Sequence, residues 1–133
     1  MASVHDGDTV TVSANGSLQK IRLNGIDCPE TDQPWGPQAT EFTRGLADKQ
    51  EVIVTDFGRD KYQRIIGLIT LTDGRNLNQE LVRQGFCWWY QKYAQSDAVL
   101  KQLEQQARDA KRGLWIDANP IPPWDWRRKN NYK

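Results

Sequence analysis

An Asn15-Gly16 pair stands between two stretches of alternating residues and fixes how the chain begins to fold. A two-residue hairpin turn needs φ > 0 at both central positions, which Asn and Gly tolerate best. Upstream, Val10 and Val12 share one strand face, and Thr9 and Thr11 the other. One strand is read over residues 4–12 and its partner over 18–26. In the partner, Ile21 and Leu23 face inward and Arg22 faces the opposite way.

The same patterning continues downstream. A helix is predicted over 37–48, with Ala39, Phe42 and Leu46 on one face and Pro37 in its first turn. Strands follow over 51–57 and 64–71. The second is nearly all apolar and is expected to be buried on both faces. Asn76 caps a short helix carrying Leu77 and Leu81, and Gly85 ends it. A fifth strand is read over 86–90. A last helix over 97–112 turns Leu100, Leu103, Ala107 and Ala110 inward and stops at Gly113. The tail beyond Asn119 is too rich in Pro for regular structure. Five short strands with helices between them predict an α+β, mainly β domain forming a small, partly open barrel; the periodicity also permits another α+β arrangement.

Composition bounds the chemistry. The 133 residues fit one domain. Mean hydropathy is −0.78, polar for a globular chain, yet six Trp and many aliphatic residues exclude disorder. No apolar run approaches the roughly 18–20 residues of a membrane span, so no membrane partner is expected. A single His, His5, makes a His-based zinc site or triad improbable, and two cysteines are too few for a Cys-rich one. Cys28 and Cys87 are either bridged or free. Residues 1–58 carry a net −5 and residues 59–133 a net +6. That split suits a cation site beside an anion-binding surface, or a folded surface on which the signs simply mix. A non-specific DNA coat would be far more basic. The strand-like start, with no leader before it, reads as a trimmed precursor of a secreted or periplasmic protein.

Three clusters carry candidate chemistry. Asp6-Gly7-Asp8-Thr9 lies on the first strand, and Asp27-Cys28-Pro29-Glu30 closes the second. Carboxylates converging without His or Cys ligands suit a hard cation, Ca²⁺ or Mg²⁺; singly, each Asp reads as well as a solvated turn residue. Arg22 and the stretch Gly58 to Arg64 form the third. Arginine grips phosphate oxygens in a fork at any working pH, although Arg22 also suits an ion pair with Asp8 or Asp27.

In this order the pieces resemble the thermonuclease (staphylococcal nuclease) family. The strings are Asp6-Gly7-Asp8-Thr9-Val10, then Ile21-Arg22-Leu23-x-Gly25-Ile26-Asp27-Cys28-Pro29-Glu30-Thr31. Gly36-Pro37, Asp60-Lys61-Tyr62-x-Arg64, Asn78-x-Glu80-Leu81-Val82-Arg83-Gln84-Gly85 and Gly113-Leu114-Trp115 follow. The resemblance covers roughly residues 4–116, leaving 117–133 as a Pro/Trp/Arg-rich tail packed on or extending from the domain.

The resemblance implies a five-stranded oligonucleotide/oligosaccharide-binding (OB-fold) barrel with three α-helices. It implies a monomeric, calcium-dependent phosphodiesterase acting on DNA and RNA, single strands preferred. The 5′ P–O bond would break and leave 3′-phosphate ends. Carried over by position, Asp8 and Asp27 hold Ca²⁺, and Cys28 adds its backbone carbonyl where the type member has Thr. Glu30 is the general base, Arg22 and Arg64 grip the reacting phosphate, and Lys61 and Tyr62 touch a neighbouring one. Tyr90 and Tyr93 line the base pocket, and Asp6 and Thr9 support the metal carboxylates from behind. Trp35, in a loop shorter than the type member's, is a candidate stacking platform; Trp88 and Trp89 read equally as base-stacking rings or as one core ring and one that covers the tail. A non-catalytic binding module, as found in Tudor-type scaffold proteins, is the competing reading. Retention of Asp8, Arg22, Asp27, Glu30 and Arg64 together argues against it. A partner-binding tail built on Trp124, Trp126, Arg127 and Arg128 is a third, less economical than Trp rings packing on the barrel.

Overall fold

The computed structural model describes residues 1–130. Positions 131–133 of the expected tail lie outside the described residues. Strands β1 (Ala2–Asp6), β2 (Thr9–Ala14) and β3 (Ser17–Leu23) form an antiparallel meander. Asn15 and Gly16 make the β2–β3 turn with φ of 52° and 76°, as their side chains predict. The expected strand over 4–12 is instead two, because Gly7 and Asp8 reverse the chain and a register shift lies between Val4 and Asp6. The strand expected over 18–26 is also divided. Gly25, at φ 81°, breaks it and starts β4 (Ile26–Asp27).

Helix α1 (Gly36–Ala47) packs on β1. Strand β5 (Ile53–Arg59) pairs antiparallel with β6 (Ile65–Thr70), and β6 lies parallel to β3. Helix α2 (Leu77–Arg83) starts where Asn76 Oδ1 accepts the Gln79 amide. Strand β7 (Trp88–Trp89) pairs with β4, and α3 (Ala98–Asp109) packs on α2. A 3-10 turn (Gly113–Ile116) leads to α4 (Pro123–Lys129).

The barrel expectation fails. The main sheet runs β1-β2-β3-β6-β5 and is open, with β4 and β7 forming a separate two-stranded sheet. The segment after α1 occupies the edge of β1 that a barrel would use for closure. Ala2 donates to the Gln50 carbonyl (3.0 Å) and accepts from Lys49 (2.7 Å), while β5 starts three residues later and pairs only with β6 among the described strands. The architecture is an open mixed sheet with helices, α+β.

Other expectations are corrected in detail. Strand β6 buries Ile65, Gly67 and Ile69, but Ile66, Leu68 and Thr70 stay half-buried, so only one of its faces is core. Ala110 is exposed because α3 ends at Asp109, short of the expected 112. The fifth strand shrinks to Trp88–Trp89. Among the described residues four α-helices replace three, because the tail folds: Pro122-Pro123 starts a helix rather than preventing one. Pro is favoured at the first helical position, and Asp125 early with Arg127, Arg128 and Lys129 late complement the helix dipole.

Fully buried Val10, Ile21, Leu23, Ile69, Leu77, Leu81 and Val82 form the main core. Inside it, Asn78 accepts from the Ile69 amide (3.3 Å) and donates to the carbonyls of Asn24 (3.0 Å) and Gly67 (3.1 Å). One side chain thereby ties α2 to the parallel β3–β6 junction. A second cluster joins Trp88, Ala107, Leu114 and Trp115 to Trp35 and Trp124. The two Cys are bridged, tying the end of β4 to the entry of β7.

Candidate active site

The β1–β2 turn delivers Asp8. Thr43 on α1 donates its hydroxyl to the Gly7 carbonyl (2.8 Å) and steadies that turn. Asp8 Oδ2 accepts the Cys28 amide (2.8 Å), Oδ1 accepts the Thr9 hydroxyl (3.3 Å), and its own amide donates to Asp6 Oδ1 (3.2 Å). Asp6 and Thr9 thus both hydrogen-bond to Asp8. Asp27 ends β4 opposite Trp88 and is wholly buried.

Arg22, opposite Thr9 in the β2–β3 register, spans both carboxylates. Its Nη1 lies 3.4 Å from Asp8 Oδ2 and its Nη2 3.4 Å from Asp27 Oδ1. Nη1 also donates to the carbonyls of Leu23 (2.9 Å) and Ile26 (3.0 Å). Burial opposes its charge, but Asp8 and then Asp27 outweigh burial and keep its pKa above the ordinary value. The ion pair foreseen for Arg22 is therefore present, with both partners at once.

Negative charge is in excess here. Burial, then the neighbouring Asp8, pushes the Asp6 carboxyl up to about 7. Burial is also the main cause that pushes Asp27 up to about 6, with Asp8 adding to it and the arginines opposing. The carboxylates of Asp8 and Asp27, brought together by Arg22, are oxygen donors of the kind a hard cation takes. The described residues place a permanent cation against Asp27 and Glu30: Arg127 of α4. Its Nη1 lies 3.1 Å from Asp27 Oδ1 and 2.8 Å from Glu30 Oε1, and its Nη2 2.5 Å from Asp27 Oδ2. Among the described residues, no group of three His, Cys, Asp or Glu side chains is arranged to hold a metal ion. The donor types fit Ca²⁺, with Asp8 and Asp27 as carboxylates; Glu30 is drawn onto Arg127.

Glu30 sits in the loop before α1. Its amide donates to Gln33 Oε1 (3.1 Å), and a Cβ at Gly36 would overlap its carbonyl, so the helix start packs directly on the loop. In the turn before β6, Asp60 organises a basic stretch. It takes the amides of Tyr62 (2.9 Å) and Arg64 (3.0 Å) and Arg64 Nε (2.7 Å). The Tyr62 ring lies under Lys61 and Arg64, at 5.2 and 5.3 Å. Tyr90 and Tyr93 meet edge to face at 4.8 Å.

These residues share one open cleft of about 1270 Å³. Its lining includes every expected site residue except Cys28, whose sulfur is spent in the bridge and whose amide serves Asp8. Of the two readings of Trp88 and Trp89, the packing one holds, and Trp35 lies outside the cleft. Trp35 packs on Phe86 and lines a separate small cavity. Trp88 lies between Trp115 and Trp124, and buried Trp89 donates to the Ala94 carbonyl (2.8 Å). The sequence reading missed Lys20, Trp124, Arg127 and Arg128 as cleft residues. The helix signature after Pro122-Pro123 was the available signal for the last three, because it places Trp124, Arg127 and Arg128 at spacings of 3 and 4.

Residues 20–117 match the family model of the staphylococcal nuclease homologues. An uncharacterized endonuclease of Escherichia coli is 45% identical over 126 residues, covering 95% of this chain and 82% of the relative. A micrococcal nuclease of Shigella flexneri is 36% identical, covering 92% and 76%. An uncharacterized endonuclease of Haemophilus influenzae is 35% identical, covering 97% and 72%.

Proposed function

The chain belongs to the staphylococcal nuclease family, and from that premise we infer that its cleft is a nuclease active site hydrolysing DNA and RNA with Ca²⁺. One observation carries the reading. Arg22 bridges Asp8 and Asp27, which supports a cation-binding pair and a phosphate-binding group meeting at one point of the cleft.

A phosphodiester is anionic and repels hydroxide, so its charge must be cancelled before attack. Asp8 and Asp27 would hold Ca²⁺, with the Cys28 carbonyl as a further oxygen donor. When bound, that ion supplies Lewis-acid charge neutralisation at the phosphate. Arg22 would reach the phosphate from β3 and Arg64 from the residue before β6, the strand paired with β3, and both would act most strongly as charge grows on the equatorial oxygens. Glu30 takes or orients a proton of the attacking water, which requires its carboxylate to be free of Arg127. Lys61 and Tyr62 would hold the adjoining phosphate. Tyr90 and Tyr93 would receive a base, and the exposure of Tyr62 and Tyr93 supports stacking by single strands. Breakage of the 5′ P–O bond, leaving 3′-phosphate ends, is part of the same reading.

All these side chains come from one chain, which supports a monomer as the working unit. The Cys28–Cys87 bridge supports action in an oxidising compartment, outside the cytosol. Among the described residues, no helix is long and apolar enough to cross a membrane. The test is cleavage of single-stranded DNA and of RNA with Ca²⁺, Mg²⁺ or EGTA in parallel, with analysis of the product ends. Cleavage with Ca²⁺ alone and 3′-phosphate ends are expected; equal rates in chelator would overturn the metal assignment.

A further inference from the structure

Arg127 lies beyond the residues that the family model matches, in the helix added by the tail. We propose that Arg127 is a residue of the cation site: it holds the carboxylates of Asp27 and Glu30 in the metal-free protein, and a divalent ion must displace it to reach them. The proposal rests on the calcium reading above.

Three observations support it. First, the guanidinium takes both oxygens of Asp27 and one of Glu30, the two-pronged grip that Arg makes best. Second, the Asp27 side chain is only 1% exposed, and Arg127 provides part of its cover. An ion bonded to an Asp27 oxygen at roughly 2.3–2.6 Å would sit against the positive charge already held by that carboxylate. The two cations therefore exclude one another. Third, the helix carrying Arg127 is docked by independent contacts. The Trp124 ring stacks on Tyr90 at 5.3 Å with planes 7° apart, and Pro123 is buried. The docked helix thus also covers one face of Tyr90, a ring assigned above to base binding.

Mutual exclusion makes a linkage. If Arg127 weakens ion binding by some factor, the ion weakens the Arg127 contacts by the same factor, and α4, which those contacts help to hold, is loosened with them. Apparent ion affinity falls by the fraction of molecules in which the carboxylates are free, so a contact closed in nine molecules of ten costs about tenfold.

The experiment is calorimetric titration of Ca²⁺ into the metal-free full chain and into its Arg127→Gln variant. Alongside it, amide exchange across residues 123–130 is followed in the unaltered protein with and without Ca²⁺. The variant is expected to bind Ca²⁺ about tenfold or more tightly, and Ca²⁺ is expected to speed exchange in α4. Equal or weaker binding by the variant overturns the proposal and makes Arg127 a group that positions the carboxylates for the ion. Should the variant fail to fold, exchange in the unaltered protein decides, and α4 amides that are unchanged or slowed by saturating Ca²⁺ also overturn it. Absence of Ca²⁺ binding in both proteins removes the calcium reading itself and this inference with it. Equal affinity in an active, calcium-dependent enzyme removes this inference alone.

Discussion

The main-chain amide of Cys28 donates to Oδ2 of Asp8 over 2.8 Å, across 20 residues of sequence. That bond joins the two acidic strings of the chain at one point. It also lies one residue from buried Asp27, so the same backbone segment sets the spacing of both carboxylates. The disulfide then anchors Cys28 to Cys87 at the entry of β7, whose Trp88 pairs with Asp27. Geometry at the proposed cation site therefore depends on a covalent link beneath it.

Reduction of that link is expected to destabilise the fold by about 2–4 kcal/mol, the usual contribution of a native bridge. Urea unfolding with and without reductant measures it. An unchanged midpoint would show that strand pairing alone holds the segment.

The two phosphate-facing arginines are predicted to act in the transition state. Arg22→Ala and Arg64→Ala should each raise the barrier by about 2.7–4 kcal/mol, as loss of an oxyanion donor does. Single-turnover rates on an oligonucleotide report this. Near-normal turnover of either variant would remove that residue from the chemistry.

Glu30→Gln keeps the shape of the side chain and removes its basicity. Turnover should fall sharply while Ca²⁺ affinity, measured by calorimetry, is not reduced. A large loss of Ca²⁺ binding would instead make Glu30 a ligand.

The acidic cluster also predicts how stability changes with pH. The folded pKa values of Asp6, about 7, and Asp27, about 6, lie above the ordinary 3.8. The folded state therefore binds protons more tightly than the unfolded chain does. Stability from these groups is fully present below pH 3.8 and is lost as pH rises through 6 and 7. In the metal-free protein, Asp6→Asn should flatten the decline in melting temperature across that window. A decline as steep as in the unaltered protein would show that Asp6 does not titrate there.

Local signals in the sequence survived folding best. Asn15-Gly16 specified its hairpin, and Asn76 its helix cap, because each choice is settled by one residue's own backbone and side-chain preferences. The grouping of Asp8, Arg22 and Asp27 was legible because the hairpin and the loop after it bring those residues together. Closure of the barrel was not legible. It turned on residues 48–50 filling the edge of β1, a tertiary competition with no local signature. The roles of Trp88 and Trp89 were equally hidden, since buried and base-stacking Trp look alike in sequence. Arg127 was missed for a different reason. Two prolines were read as a bar to structure, where they begin a helix that returns a charge to the site.

The account depends on Asp27 holding the ion that the reaction needs. Initial rates of single-stranded DNA cleavage, measured across a Ca²⁺ titration for the unaltered protein and for Asp27→Asn, test this most directly. The account predicts a rate that rises from nothing in EGTA and saturates with Ca²⁺ in the unaltered protein, and a variant that is inactive or needs far more Ca²⁺. Cleavage that persists in EGTA, or a variant with the same Ca²⁺ dependence and rate, would contradict it.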